Sequence, residues 1–194
     1  CLAEPERSER KVFHWLTERR RKHLLEQPFP EAWHAILAAN VAAYPLLDAA
    51  EQKHLRDLVQ VFIAEKNFEG AGGLELTDEI RVTIAGTGCQ LLLGRNHDLF
   101  NRMISIVVYP SAVVVPPQSV GVFSFPRGAL RATPVIGLAT PVGTLVLAWD
   151  HALRGARDAP AGCQTVIHEF SHEIACLDSA ACGTPPSPPH KATH

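Results

Sequence analysis

The sequence has no surplus of charge. Across 194 residues, 18 lysines and arginines stand against 20 aspartates and glutamates, a formal net charge of -2. A dedicated nucleic-acid binder would carry a basic excess, so the balance argues against one. No apolar run is long enough to read as a spanning helix. The two uncharged stretches, Met103 to Pro126 and Ala132 to Trp149, are broken by Pro110, Pro116, Pro117, Pro134, Gly137, Pro141 and Gly143. A membrane helix needs about 20 continuous apolar residues and rarely tolerates such breaks. Buried β-strands suit these stretches better. The opening residues Glu4, Glu6, Arg7 and Glu9 offer no apolar core for an export signal. No phosphate-binding glycine pattern occurs either, because neither a Lys-Ser/Thr pair nor a G-x-G-x-x-G spacing accompanies Gly70, Gly72 and Gly73. No internal repeat is present.

Cysteine is sparse and odd in number. Cys1, Cys89, Cys163, Cys176 and Cys182 are scattered, and this fits reduced thiols in a cytoplasm better than a disulfide framework. The chain begins at Cys1 and not at methionine, so the expectation is a processed chain or a fragment. What is abundant is apolar: 46% of residues are hydrophobic and 20% charged. A chain of this length and apolarity can bury a core as one domain.

The periodicity is helical first and strand-like later. Residues Glu6 to Leu25 read as a charged helix ended by Pro28 and Pro30, with Arg19, Arg20, Arg21 and Lys22 on a solvated face. A second helix covers Glu31 to Asn40. Asp48, with Glu51 three residues on, is a capping-box start for a third helix, whose Leu55, Leu58, Val59, Phe62 and Ile63 recur at helical spacing. Gly70, Gly72 and Gly73 mark a turn. Thr77 caps a fourth helix to about Gly94, with Asp78 and Glu79 in its first turn, where the helix dipole favours acids. Strands are expected at Ile104 to Tyr109, Ala112 to Val115, Val120 to Phe125 and Thr144 to Trp149. Asp150 then caps a brief helix to about Arg157, and Cys163 to Leu177 forms the last one. Pro185, Pro186, Pro188 and Pro189 make a tail that cannot pack as helix.

The chemistry lies in His168-Glu169-Phe170-Ser171-His172. On a helix of about 3.6 residues per turn, two histidines four apart share a face, so both imidazoles can reach one Zn²⁺. Glu169 is turned about 100° away from His168, which takes it off the metal but within reach of a water held there. A carboxylate so placed can take that water's proton as it attacks a polarised carbonyl, and pass it to the leaving amine. This is the H-E-x-x-H arrangement of zincins. The alternative is a structural pair of histidines. The apolar neighbours Val166, Ile167, Phe170 and Ile174 favour a metal, since polar groups on a buried helix are costly without partners.

Several further segments carry a family resemblance. They are Phe68-Glu69-Gly70-Ala71-Gly72-Gly73-Leu74-Glu75-Leu76-Thr77-Asp78-Glu79, Val108-Tyr109-Pro110, Leu147-Ala148-Trp149-Asp150, the H-E-x-x-H segment itself, Leu177-Asp178 and Gly183-Thr184-Pro185-Pro186. In this order and spacing they resemble the Mlc titration factor A family of bacterial zinc-dependent peptidases, over most of residues 45 to 188. The resemblance implies a cytoplasmic zinc metallopeptidase of aminopeptidase type, with His168 and His172 as zinc ligands and Glu169 as catalytic base. It also implies a peptide substrate and interaction with a transcriptional repressor of the Mlc type. Without catalysis, the rival reading is a binding protein for such a repressor.

Two positions depart from the family. Ile174 and Ala175 stand where the family has Leu-Asp, and the family's third zinc ligand, a glutamate on a later helix, has no counterpart before His194. Asp178 is one local substitute, at the spacing of metzincin-like third ligands but without their turn-forming glycine. His190 and His194 with Cys176 and Cys182 could compose a separate small zinc site. The expected architecture is α+β and zincin-like: N-terminal helices, a small mixed β-sheet, then the H-E-x-x-H active-site helix. The expected organisation is an N-terminal helical extension over residues 1–30, a C-terminally truncated metallopeptidase domain over 31–183, and a flexible Pro-rich tail over 184–194.

Overall fold

The computed structural model describes residues 17–94, 100–114, 134–135, 137–139, 143–158 and 165–178. Six α-helices, two short 3-10 turns and two small sheets lie within these residues. The strand expected at Val120 to Phe125 and the Pro-rich tail lie outside them.

Helix α1 (residues 17–25) is tied to the body by a fork-to-fork ion pair. Arg21 Nε and Nη2 donate to the two carboxylate oxygens of Glu65 at 2.6 and 2.9 Å. Two parallel bonds fix the guanidinium plane as well as its charge, so one member of the basic run anchors the helix. Helix α2 (Glu31–Asn40) starts directly after Pro30. Helix α3 (Ala49–Glu65) has the expected capping box: Glu51 N donates to Asp48 Oδ1 at 2.8 Å, and Asp48 N donates to Glu51 Oε2 at 3.1 Å. Its Leu55, Val59 and Phe62 are buried, with Leu58 and Ile63 half-buried beside them.

Strand β1 (Asn67–Gly70) follows at once and was not anticipated. The segment Asn67-Phe68-Glu69-Gly70 has no β-branched residue and is largely exposed, so its extended form comes from its neighbour: β1 pairs in parallel with β2 (Ser105–Tyr109), Phe68 opposite Ile106. Between them Gly72 and Gly73 take φ of 62° and 81°, left-handed values that suit glycine. Thr77 caps α4 (Asp78–Cys89), and a single 3-10 turn over Gln90–Leu92 brings the chain to Gly94, where the helix was expected to end. Helix α4 is buried nearly all round, as a central helix should be. It packs against α2, α3 and the last two helices.

The main sheet runs β1-β2-β6-β5. Strand β6 (Thr144–Ala148) is parallel to β2, whereas β5 (Gly137–Ala139) is antiparallel to β6. The sheet is therefore mixed, and the class is α+β. Ile106, Val108, Leu145 and Leu147 alternate along β2 and β6 and are buried toward the helices. A two-strand ladder, β3 (Val113–Val114) with β4 (Pro134–Val135), lies between β2 and β5 in sequence.

Helix α5 (Trp149–Arg157) leaves β6 without a loop, with Ala148 at the cap position and Asp150 not the cap expected of it but two residues further on, in the first turn. Its last residue closes a polar hub. Arg157 Nε and Nη2 donate to Asn40 Oδ1 at 3.0 and 2.7 Å, while Asn40 Nδ2 donates to Glu79 Oε1 at 3.1 Å and to Thr83 Oγ1 at 2.9 Å. Asn40 is buried with its side-chain amide donor and acceptor both engaged, and it joins α2, α4 and α5. No helix among the described residues is long and apolar enough to cross a membrane.

Candidate metal centre

Helix α6 (Thr165–Asp178) carries the H-E-x-x-H segment as one unbroken helix. Its inner face is set by apolar residues one turn apart. Val166 and Phe170 are buried in the core, together with Thr165 and Glu169, whereas His168 and Ser171 are exposed and Ile167 is half-buried. The helix thus divides cleanly, with the core on one side and His168 on the other.

Phe170 fixes that division. Its ring is 0% exposed, 4.8 Å from Phe100 edge-to-face and 5.7 Å from Phe62. It lies directly on the backbone of α4 at Gly88. A Cβ there would overlap Phe170 Cδ1 and Cε1 and stand 2.7 Å from Cζ, so only glycine admits the ring at this depth. Around the same helix, α5, β5 and β6 complete the packing. With Phe170 locked inward, Glu169 is 9% exposed at the border of the core, and His168 faces outward.

Four residues on from His168, the backbone of His172 stands one turn along the same face. The His172 side chain lies outside what is described. Ser171 Oγ donates to the carbonyl oxygen of His168 at 2.7 Å, which satisfies the hydroxyl within the helix. Among the described residues no three His, Cys, Asp or Glu side chains converge on one point. Histidines four residues apart on a helix are of the donor type and spacing that would suit two of the three protein ligands of a catalytic zinc.

The unbroken helix bears on the third. Asp178 is still within α6, and six helical residues carry a position about 240° around the axis and about 9 Å along it. That turns the Asp178 position about 120° away from His172 and about 80° from His168, to one side of the His168–His172 face and further along the helix. His190, His194 and Cys182 lie outside the described residues.

The residues that pack against Phe170 were not visible in the sequence as neighbours of this helix. Gly88 is one and Phe100 another. The signal for the first was a glycine inside a helical run, which normally has a packing reason. Phe100 gave none.

Residues 15–194 match the family model described as glucose-regulated metallo-peptidase. An uncharacterized protein of Synechocystis sp. is 32% identical over 176 residues, covering 89% of this chain. The chain spans 62% of the length of that relative.

Proposed function

The chain belongs to the glucose-regulated metallo-peptidase family, in agreement with its resemblance to Mlc titration factor A proteins, and from that premise we propose that it is a zinc-dependent peptidase. His168 and His172 would hold the ion through ring nitrogens, and Glu169 would act as general base. The observation that carries the reading is the placement of these three positions on one uninterrupted helix, whose rotation is locked by Phe170 with His168 turned away from the core.

Zinc, when bound, supplies a Lewis acid that polarises a peptide carbonyl. The remaining steps belong to the chain. Glu169, held at the core border, takes a proton from the attacking water and returns it to the departing amine. Its burial reduces competition from bulk water for that proton. The two histidines would donate ring-nitrogen lone pairs to the ion.

A peptide substrate suits the surroundings. Strand β5 packs against α6 and is one of the two outer strands of the main sheet among the described residues. An extended peptide added to such an edge presents its carbonyls in register beside the helix, held by main-chain hydrogen bonds. Aminopeptidase-type cleavage and a cytoplasmic setting are parts of the proposal that rest on the resemblance and on the reading of the cysteines as reduced thiols.

The test separates binding from chemistry. Glu169→Gln should keep zinc and lose on the order of 10²-fold or more in peptide turnover, whereas His168→Ala should lose both. Equal loss of zinc in the two variants would make Glu169 a structural residue.

A further inference from the structure

We propose that Phe100 is a positioning residue for the metal-binding face of α6, a role that rests on the zinc reading above. Phe100 has a φ of 45° and is the single non-glycine residue with positive φ among those described. A bulky aromatic residue in this left-handed region is a true outlier, and it persists only where its surroundings over-determine it.

The surroundings do so from two sides. Lys66 Nζ donates to the Phe100 carbonyl at 2.9 Å, and Met103 N donates to the same oxygen at 2.8 Å. The ring is fully buried and meets Phe170 edge-to-face at 4.8 Å and an interplanar angle of 83°. Phe62 closes the cluster, 6.0 Å from Phe100 and 5.7 Å from Phe170. The unusual backbone therefore delivers one thing: an aromatic ring packed edge-to-face with Phe170, the ring that also rests on Gly88.

Phe170 stands midway between His168 and His172 in sequence and directly after Glu169. Whatever fixes its ring fixes the roll of α6 for all three. A helix with its side chains has a radius of about 5–6 Å, so a roll of about 10° displaces a side-chain end by roughly 1 Å. Metal sites require ligand distances held to within about 0.2 Å. A small roll consequently separates a tight site from a loose one without unfolding anything.

Phe100→Leu keeps the position apolar and removes the aromatic edge. Lys66→Met removes the donor to the Phe100 carbonyl while keeping the apolar stem. A control, Leu55→Val, truncates a buried residue of α3 about 10 Å along that helix from Phe62. Each variant of the purified protein would be titrated with zinc alone against a competing chelator dye, and amide hydrogen exchange would be followed in residues 165–171. Phe100→Leu should weaken zinc at least tenfold and speed exchange in α6 selectively, with kcat falling and KM little changed. Lys66→Met should do the same to a smaller degree. Leu55→Val should lower the melting temperature comparably yet leave zinc affinity within twofold. Zinc binding that is unchanged in Phe100→Leu, or weakened equally in Leu55→Val, would overturn the proposal. Absence of zinc binding in the wild-type protein would overturn the metallopeptidase reading itself, and the positioning role with it.

Discussion

Gly88→Ala sets two well-known effects against each other. In a helix interior, alanine is more favourable than glycine by about 1 kcal/mol, because it restricts the unfolded backbone. Residue 88 lies within α4, so propensity alone predicts stabilisation. The ring of Phe170 opposes it. The new methyl would overlap Cδ1 and Cε1 and stand 2.7 Å from Cζ, where carbon atoms ordinarily rest about 3.5–4.0 Å apart. Opening that gap to an ordinary contact requires the Phe170 ring and α6 to move away from α4 by roughly 1–1.5 Å, which disturbs the packing of Phe170 on Phe100 and Phe62. Overpacking of this kind costs about 1–3 kcal/mol, sometimes more, and three overlapped ring atoms belong at the upper end. The overlap wins, with a net loss of about 2 kcal/mol and a melting temperature lower by roughly 4–8 °C for a chain of this size. Gly86→Ala is the comparison, because the methyl there meets the end of Leu37 and stands 3.1 Å from Val41 Cγ2. The Leu37 side chain can rotate aside, so this variant should be less destabilised by at least about 1 kcal/mol. Urea denaturation followed by circular dichroism measures both. A Gly88→Ala protein as stable as wild type, or more so, would refute the claim that Phe170 rests on the α4 backbone.

The remaining predictions concern the polar hub and the buried thiol. Asn40→Ala strips Arg157, Thr83 and Glu79 of their common partner and should cost about 1–3 kcal/mol in urea titration; a loss below about 0.5 kcal/mol would show that water replaces the amide freely. Cys89 is fully buried, so it should resist alkylation in the native protein and react only on unfolding, as peptide mapping by mass spectrometry would show. Burial pushes its thiol well above the ordinary value of 9.0, with nearby Lys66 offsetting part of the shift. The unfolded chain therefore releases this proton first: the contribution is intact below pH 9.0 and shrinks by about 1.4 kcal/mol per unit above it. Cys89→Ala should lack that part of the alkaline decline, and an identical decline in both proteins would contradict it.

The parts of the fold that were legible in the sequence are those written in local chemistry. The reciprocal Asp48 and Glu51 bonds need only a three-residue spacing, and the buried row Leu55, Val59 and Phe62 needs only a helical period. Strand β1 was not legible because nothing local makes Asn67 to Gly70 extended; its partner is β2, more than thirty residues on. Strands β4 and β5 are two and three residues long and contain Pro134 and Gly137, so they carry no alternating pattern to detect. The same division holds at the site. His168, Glu169 and His172, the residues proposed for the site, stand out because metal and proton chemistry call for those groups at that spacing. The residues that set the roll of their helix, Gly88 and Phe100, lie on other elements and act through shape alone. Shape complementarity between segments so distant in sequence has no local signature.

The central claim is that His168 and His172 hold a zinc ion from one face of α6. Zinc bound per chain, measured by elemental analysis after equilibration with the ion and gel filtration, tests it most directly in the wild-type protein and in His168→Ala and His172→Ala. The account predicts zinc on the wild-type chain and its loss in both variants, with helical content preserved. Zinc retained undiminished by either variant would place the ion elsewhere and contradict the account.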